Sequence, residues 1–395
     1  MTPAARVAAA SMVLDQIASG LPAEVALTRW ARGARFAGSK DRAAIRDHVF
    51  DALRCRRSYA CLGGGSDGRG LMLGLVRAQG LDATQIFAGE GYGLAPLDAA
   101  EQAAGHVPQG ADALDLPDWL MPIWQASLGE NAACVAETQR HRAPVMVRVN
   151  TAKSDRASAI AALDAEGISA LPAAIADTAI ILGAGARKLA QSQAYLQGLV
   201  ELQDGAAQAL VGLLDVPQAG RILDYCAGGG GKVLAMAPRA GKARLFAHDA
   251  QAQRLKDLPA RAARADVAVE IVTDHSALAG LAPFDLVLAD VPCSGSGTWR
   301  RTPEAKWLLS PDSLQALNAT QDLILRQAAP LVAKGGALAY ATCSVLQQEN
   351  DDRISQFLGE TAGWRQVSCQ HWLPGPEGDG FFLAVLRRDL RSLQF

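Results

Sequence analysis

Asp224-Tyr-Cys-Ala-Gly-Gly-Gly-Gly-Lys232 follows the apolar residues Ile222 and Leu223 and runs into Val233-Leu-Ala-Met236. A buried strand, a glycine-rich turn and a helix in that order let backbone amides approach a bound ligand closely. The stretch therefore predicts a nucleotide-type cofactor loop. Working outward, strand-like and helix-like segments alternate: strand 222–226, helix 232–237, strand 245–248, helix 253–263, then strands 267–272 and 284–289. A long helix starts near Pro311 or Asp312, and strands follow at 337–341 and 381–386. That alternation predicts an α/β fold built on a mostly parallel, doubly wound sheet, with the loop at its first strand.

Asp249 ends the next strand, near the ~20-residue separation expected of a carboxylate that accepts ribose hydroxyls. A dinucleotide fingerprint needs a small third residue, and Val233 stands at that place, which weighs against a nicotinamide cofactor. S-adenosylmethionine has no pyrophosphate and tolerates the change. The residues expected to hold it are Cys226, Ala227, Gly228, Gly229, Gly230, Gly231, Lys232, Asp249, Asp274 and Asp290. Asp274 is placed to accept from the adenine amino group, and Asp290 closes the fourth strand at the same crevice. The competing reading is that these carboxylates cap helices or turns, and that Lys232 begins its helix in solvent.

Upstream, strand 147–150, helix 155–165 and strand 178–182 predict a small α+β subdomain on the substrate side, over residues 141–205. Residues 1–140 read as an all-α domain with a connector. Ile45, Val49 and Leu53 make one apolar stripe after a Ser39 cap, and glycines between Gly63 and Gly70 break the helical pattern. The cofactor-binding domain then takes residues 206–395. Half of the 395 residues are apolar and the net charge is -2, which excludes a disordered chain and gives no global sign of a polyanion partner. The charge is nevertheless polarised: nine Lys or Arg lie between Arg29 and Arg57, and eight Asp or Glu with no Lys or Arg lie between Asp82 and Glu130. Such stretches either steer an anionic partner or are solvated helix faces. No stretch approaches the ~20 apolar residues that span a bilayer, so a cytoplasmic monomer without membrane contact is expected.

The seven cysteines are scattered, with no paired C-x-x-C spacing, which argues against a zinc site or a disulfide framework. Two of them sit at the carboxyl ends of consecutive predicted strands: Cys293 in Asp290-Val-Pro-Cys293, and Cys343 in Tyr340-Ala-Thr-Cys-Ser344. A lone cysteine at such a place is usually a small buried hydrophobe; two beside Asp290 and one crevice point to chemistry. Together with Gln203-Asp-Gly205, Arg300-Arg-Thr-Pro303 followed by Lys306 and Trp307, Glu349-Asn350 and Gly378-Asp-Gly-Phe-Phe382, these motifs resemble the Nop/Sun family of RNA cytosine-5 methyltransferases, in particular its RsmB-like bacterial ribosomal branch. The helical N-terminus, with Lys40-Asp-Arg42 and Leu53-Arg54, is similar to the NusB-like RNA-binding domain of that branch.

The resemblance implies a Rossmann-like methyltransferase domain that acts on RNA, ribosomal RNA in this branch. It also implies that Cys343 is the nucleophile that adds to carbon 6 of cytosine, that Cys293 assists product release, and that Asp290 hydrogen-bonds the ring. The target base must leave its stack to reach both thiols. Arg300, Arg301 and Lys306, next to Trp299 and Trp307, are then expected to supply phosphate contacts and stacking surfaces; the alternative is a solvated loop anchored by its tryptophans. The chain departs from the family where Gly228-Gly229 replaces the usual Ala-Pro, and where Thr273-Asp-His275 replaces Gly-Asp-Gly. Three other functions compete: a DNA cytosine methyltransferase with the same chemistry, a nicotinamide oxidoreductase, and a non-catalytic ribosome-assembly factor.

Overall fold

Short alternating segments upstream of the glycine loop pair antiparallel. In the computed structural model, which describes residues 1–390, β1 (Val145–Val149), β2 (Ala170–Pro172), β3 (Ala179–Leu182) and β4 (Val200–Leu202) form one sheet in the order β2-β3-β1-β4. Helix Arg156–Ala165 buries Ala159 and Leu163 on it, and Asp155 caps that helix by accepting from Ser158 N. Sequence alone separates residues 141–205 from 206–395. Both belong to one compact unit, Ala143–Thr298 with Ser310–Phe395, of which residues 391–395 lie outside the described residues. Asn150 Nδ2 donates to the Ala265 carbonyl at 3.0 Å, and Arg264 pairs with Glu201, so side chains of the small subdomain are tied to helix Leu258–Ala265 of the larger one.

The larger sheet has seven strands: β5 (Arg221–Asp224), β6 (Arg244–Ala247), β7 (Glu270–Ile271), β8 (Phe284–Asp290), β9 (Val332–Thr342), β10 (Trp364–Trp372) and β11 (Phe381–Arg388). Their order is β10-β11-β9-β8-β5-β6-β7; the five from β7 to β9 are parallel, and β11 and β10 add antiparallel. This is the Rossmann-like, doubly wound arrangement. Side chains of a strand alternate between faces, and here both faces are covered. Ile222, Leu286, Leu288 and Ala339 belong to one apolar cluster, while Leu223, Val287, Ala289 and Leu338 belong to the other. The strand order reverses between β5 and β8, which opens a crevice at their carboxyl ends.

Two expected elements are shorter than their sequence pattern. β7 keeps only Glu270–Ile271, and the helix expected at 253–263 is a 3-10 turn over Ala252–Leu255 followed by helix Leu258–Ala265. Pro259 falls in the first turn of that helix, where its missing N–H costs nothing.

The helical unit comprises Met1–Arg142 together with Trp299–Leu309. Helices Pro3–Ala18, Ser39–Arg54 and Gly68–Ala78 bury Val13, Ile45, Val49, Leu53 and Leu73 in one core. Ser39 is the first helical residue and not the cap: Gly38 occupies the cap, and its N–H donates to Asp41 Oδ2 at 3.2 Å. The glycine-rich break is real. Gly64, at φ 77°, ends helix Arg56–Gly63, and Asp67 caps the next helix through Gly70 N. The two oppositely charged stretches meet inside this unit, where Arg57 pairs with Asp112 and Asp118; Arg69, between the stretches, pairs with Glu101. No described helix is long and apolar enough to cross a membrane.

Candidate active site

The loop after β5 is a turn closed by Gly230 N donating to the Ala227 carbonyl at 2.8 Å. Gly228 and Gly230 adopt φ 50° and 78°, a region side chains avoid. At Gly230 an added Cβ would also meet Leu258 Cδ1 at 2.2 Å. Asp224 ends β5 almost fully buried; its Oδ2 accepts from Val233 N at 3.0 Å, tying the strand to the helix that follows. Its other oxygen, Oδ1, is buried with no hydrogen-bond partner among the described residues. Burial, aided by the charges of Asp290 and Asp249, pushes the Asp224 carboxyl up to about 7 against the pull of Lys232. An orphaned buried acceptor is costly unless a donor reaches it. Beside a glycine loop, that donor fits the amino group of a bound amino-acid moiety.

Asp249 is also buried. Its Oδ2 accepts from Gly228 N at 3.0 Å, its Oδ1 accepts from Gln251 N at 2.9 Å, and Arg254 pairs with it at 3.2 Å. It thus shapes the glycine turn directly. Asp274 is exposed and caps helix His275–Leu281, accepting from the Ser276 N–H and hydroxyl. Its neighbour His275 meets the Tyr225 hydroxyl at 3.0 Å through Nδ1, which keeps this turn near the loop. Cys226 follows β5 with its thiol pushed far up by burial first and by Asp224 next. Ala227 N donates to the His248 carbonyl, pinning the loop to the end of β6. The small sheet contributes Gln203, whose Nε2 donates to the Gly231 carbonyl at 3.2 Å while Arg148 donates to its Oε1 at 2.7 Å.

Lys232 does not start its helix in solvent. Its ammonium pairs with Asp290 Oδ2 at 2.5 Å, and lies 5.3 Å from the centre of the Phe381 ring. Burial alone would lower this ammonium, but the charge and hydrogen bond of Asp290 outweigh it and hold it above the usual lysine range. A charge on Cys343 adds to the same rise, so lysine, carboxylate and thiol share one field.

β8 and β9 run parallel with Asp290 opposite Ala341, so the loops that leave them start side by side. Cys293 and Cys343 thereby come together, with their sulfurs 3.4 Å apart. The Cys293 thiol is raised well above its ordinary range, first by its hydrogen bond with the Cys343 sulfur and then by burial. The Gly297 N–H donates to the Cys343 carbonyl at 2.9 Å and Gly380 N to the Gly297 carbonyl at 2.9 Å, which joins the Gly378-Asp-Gly motif to both cysteine loops. Asp379 N in turn donates to Asp204 Oδ1 at 3.0 Å.

Glu349 lies behind the two thiols, in a role that no local pattern announces. It is fully buried and accepts from Ser294 N at 2.8 Å, from the Ser294 and Ser344 hydroxyls at 2.5 Å each, and from Gln321 Nε2 at 3.0 Å. Ser294 and Ser344 are the residues next to Cys293 and Cys343, so a single carboxylate holds both loops. Asn350 adds a second tie, donating to the Ser344 carbonyl at 3.0 Å and accepting from Thr342 Oγ1 at 2.6 Å.

The basic and aromatic segment after Cys293 is not the phosphate-binding strip expected from sequence. Trp299 is buried and stacks on Trp124 with ring centres 5.8 Å apart. Arg300 is buried, its N–H donating to Gln139 Oε1 and its carbonyl accepting from Arg54. Lys306 is buried against Trp307, and its Nζ donates to the Arg54 carbonyl at 3.1 Å. Trp307 Nε1 donates to the Leu53 carbonyl at 2.6 Å. Only Arg301 of the three expected cations is exposed. A lysine whose amine is desolvated and hydrogen-bonded in a core anchors chain and cannot meet phosphate.

Comparison with known proteins agrees with this architecture. The family model for 16S rRNA methyltransferase RsmB/F matches residues 211–387, and a ferredoxin-like domain model of RsmF/B-like methyltransferases matches residues 116–187. Ribosomal RNA small subunit methyltransferase B of Vibrio cholerae is 34% identical over 284 residues, which is 69% of this chain and 65% of that protein. The Xylella fastidiosa protein of the same name is 33% identical over 290 residues, 69% of this chain and 67% of its own length. The chain thus spans about two thirds of the length of the curated relatives it matches. Among solved structures, PH0851 superposes with a TM-score of 0.77 at 20% identity over 98% of this chain and 99% of its own. NSun6 from Pyrococcus horikoshii, solved with SFG, superposes with a TM-score of 0.63 at 18% identity over 70% of this chain and 99% of its own. These last two likenesses speak for the fold, and the sequence matches for descent: the chain belongs to the RsmB/F branch of the Nop/Sun methyltransferase family.

Proposed function

We propose that this chain is an S-adenosylmethionine-dependent methyltransferase that modifies carbon 5 of a cytosine in small-subunit ribosomal RNA through a covalent Cys343 adduct. The observation that carries the reading is the 3.4 Å approach of the Cys293 and Cys343 sulfurs beside the Lys232–Asp290 pair. Family membership, with relatives named for small-subunit ribosomal RNA, supports the substrate. The cofactor assignment rests on the glycine turn and on the unsatisfied Asp224 Oδ1, which suits a bound ammonium. Asp249 takes the ribose hydroxyls, Asp274 uses acceptor capacity beyond its helix cap for the adenine amino group, and residues 226–232 line the loop.

The bound sulfonium supplies the methyl group; the remaining work falls to the chain. Carbon 5 of cytosine is a weak nucleophile, so the Cys343 thiolate forms a bond to carbon 6 and sends the ring electrons toward carbon 5. Asp290, paired with Lys232, hydrogen-bonds the protonated ring nitrogen and steadies the resulting enamine; help of that kind is worth roughly 100- to 10,000-fold in rate. Once carbon 5 is methylated and its proton leaves, the electron pair of that C–H bond reforms the ring double bond and expels Cys343 as thiolate. Cys293, its sulfur 3.4 Å from that of Cys343, assists this release.

The helical unit is the proposed RNA-holding, NusB-like part. Its Arg29, Arg32, Arg35 and Lys40 are exposed, and Phe36 stacks on Tyr92 near them in sequence with ring centres 6.3 Å apart. Cations interleaved with aromatic rings suit an RNA backbone and its unstacked bases.

The test is a pair of variants incubated with small-subunit ribosomal RNA and S-adenosylmethionine. Cys343→Ala should abolish methylation and leave cofactor binding intact. Cys293→Ala should accumulate a protein–RNA adduct that survives a denaturing gel. An adduct formed by Cys343→Ala, or equal methylation of matched DNA, would overturn the reading. Bisulfite sequencing of RNA from cells with and without the gene identifies the cytosine.

A further inference from the structure

β10 is the outermost strand of the large sheet, and Cys369 and His371, two apart on it, share one face. That face meets Asp351, the first residue of helix Asp351–Glu360. Cys369 Sγ lies 3.9 Å from Asp351 Oδ1 and 3.8 Å from His371 Nε2, and His371 Nε2 lies 3.4 Å from Asp351 Oδ1. Tetrahedral zinc with bonds of about 2.0–2.3 Å to oxygen, nitrogen and sulfur has ligand-to-ligand edges of roughly 3.3–3.6 Å. The three atoms are therefore within a few tenths of an ångström of a metal-binding triangle. The imidazole is held in place: its ring packs on Phe382, fully buried and opposite His371 in the strand register, with centres 4.8 Å apart.

One other reading of the cluster fails on geometry. A nucleophilic Cys–His–Asp relay needs the two ring nitrogens to face different partners, whereas here the same Nε2 faces both the thiol and the carboxylate. A thiol and a carboxylate facing one point repel once both are ionised, and a cation at that point removes the repulsion and deprotonates the thiol.

We propose that Asp351, Cys369 and His371 bind one thiophilic divalent cation of the zinc class, with the fourth position open to water or an exogenous ligand. The absence of any C-x-x-C pair had argued against zinc; the donors are instead a Cys-x-His pair on one strand and an aspartate 18 residues before the cysteine, brought together only by the fold. The bound ion ties the sheet edge to the first turn of the helix that directly follows Glu349 and Asn350. None of its ligands belongs to the set proposed for methyl transfer, so the two proposals stand or fall separately.

The experiment is titration of the metal-stripped full chain with cobalt(II), reading the thiolate-to-cobalt charge-transfer absorption, followed by displacement with zinc. One equivalent should bind, the band should persist in the Cys293→Ser/Cys343→Ser double variant, and Cys369→Ser should lose it. His371→Ala and Asp351→Asn should weaken binding at least tenfold. Zinc should raise the melting temperature of the unaltered chain and not that of Cys369→Ser. Asp351 and His371 side chains are 43% and 50% exposed, so these variants should keep the fold, as a circular dichroism spectrum would check. A missing band, or an equal band in Cys369→Ser, would overturn the proposal.

Discussion

Buried charge appears in two regions of this protein and is treated in opposite ways. In the helical unit, Asp115 is fully buried and accepts from Arg57 N, Ser58 N and the Ser58 hydroxyl at 2.7 to 2.9 Å, with Arg140 paired at 3.0 Å. Lys306, in the same neighbourhood, donates to a carbonyl and lies over an indole ring. In the crevice of the α/β unit, Asp224 keeps one oxygen without a donor, and two thiols touch each other instead of a complete set of partners. Saturated buried charge holds chain segments in place. Beside the glycine loop, the Asp224 oxygen without a donor is where a bound ligand can complete the set.

The largest effect that tests this contrast is expected at Glu349, which is saturated yet serves the crevice. Glu349→Ala leaves four donors without their acceptor and frees both cysteine loops. Turnover should fall by roughly 100-fold or more, the scale of a misplaced reacting group, and thermal stability should drop with it. Cofactor affinity, measured by calorimetry, should change little. Undiminished turnover would mean that the loops position the thiols without this clamp.

Lys306→Ala should rank next. Removing one member of a buried, partnered group costs ~3–5 kcal/mol, whereas a well-packed apolar replacement is often neutral; Lys306→Met should therefore recover most of the stability seen in urea unfolding. Burial, opposed by Asp115, lowers the Lys306 amine to about 8 from its unfolded 10.5. Between these values the unfolded chain binds the proton and the folded chain does not, so stability should rise with pH through that window. The shift corresponds to about 3 kcal/mol at most. Lys306→Met should lack that rise, and an identical pH profile would remove Lys306 from the account.

At Asp224 the contrast runs the other way, since its carboxyl sits at about 7 before a ligand arrives. A carboxyl raised above its unfolded value stabilises the fold at acid pH, and that contribution is lost as pH rises through 7. A ligand ammonium instead needs the carboxylate. Cofactor binding should therefore tighten as pH rises from 6 to 8, and Asp224→Asn should weaken it by about tenfold, the loss of one charge-assisted hydrogen bond, and flatten the pH dependence. A flat profile in the unaltered chain would rule this donor pairing out.

The smallest expected effect is at Gly229, which stands where the motif of the family resemblance has proline. Fixing that φ should remove ~0.4–1 kcal/mol of backbone entropy that ligand binding must otherwise order. Gly229→Pro should thus tighten the cofactor about two- to fivefold in isothermal titration. Unchanged or weaker binding would show that the Gly228 turn at φ 50° does not accept proline after it.

Much of the α/β unit is written in local pattern. Buried parallel strands read as apolar runs because both faces are covered, which is why β5, β6, β8 and β9 are legible from Ile222, Leu245, Leu286 and Leu338 outward. β10 is not, since Arg365-Gln-Val-Ser-Cys-Gln370 is exposed on an edge and carries no apolar period. Asp274 shows a related ambiguity: an aspartate before a serine and a small-residue helix looks the same whether it caps that helix or meets a ligand. Trp299 to Trp307 misled for a different reason. Arginine, lysine and tryptophan in one short stretch are the same residues whether they face RNA or fill a core, and only burial separates the two.

The sequence by itself determined the fold class, the glycine turn, the two strand-end cysteines and the family, because each depends on residues near one another in the chain or on a fixed order of motifs. The tertiary structure decided which groups meet: that Cys293 and Cys343 touch, that Glu349 holds both of their loops, that Lys232 turns inward to Asp290, and that Asp351 joins Cys369 and His371. Contacts between residues tens of positions apart follow from strand order and register, which are set by packing both faces of a sheet at once and leave no local signature in the chain.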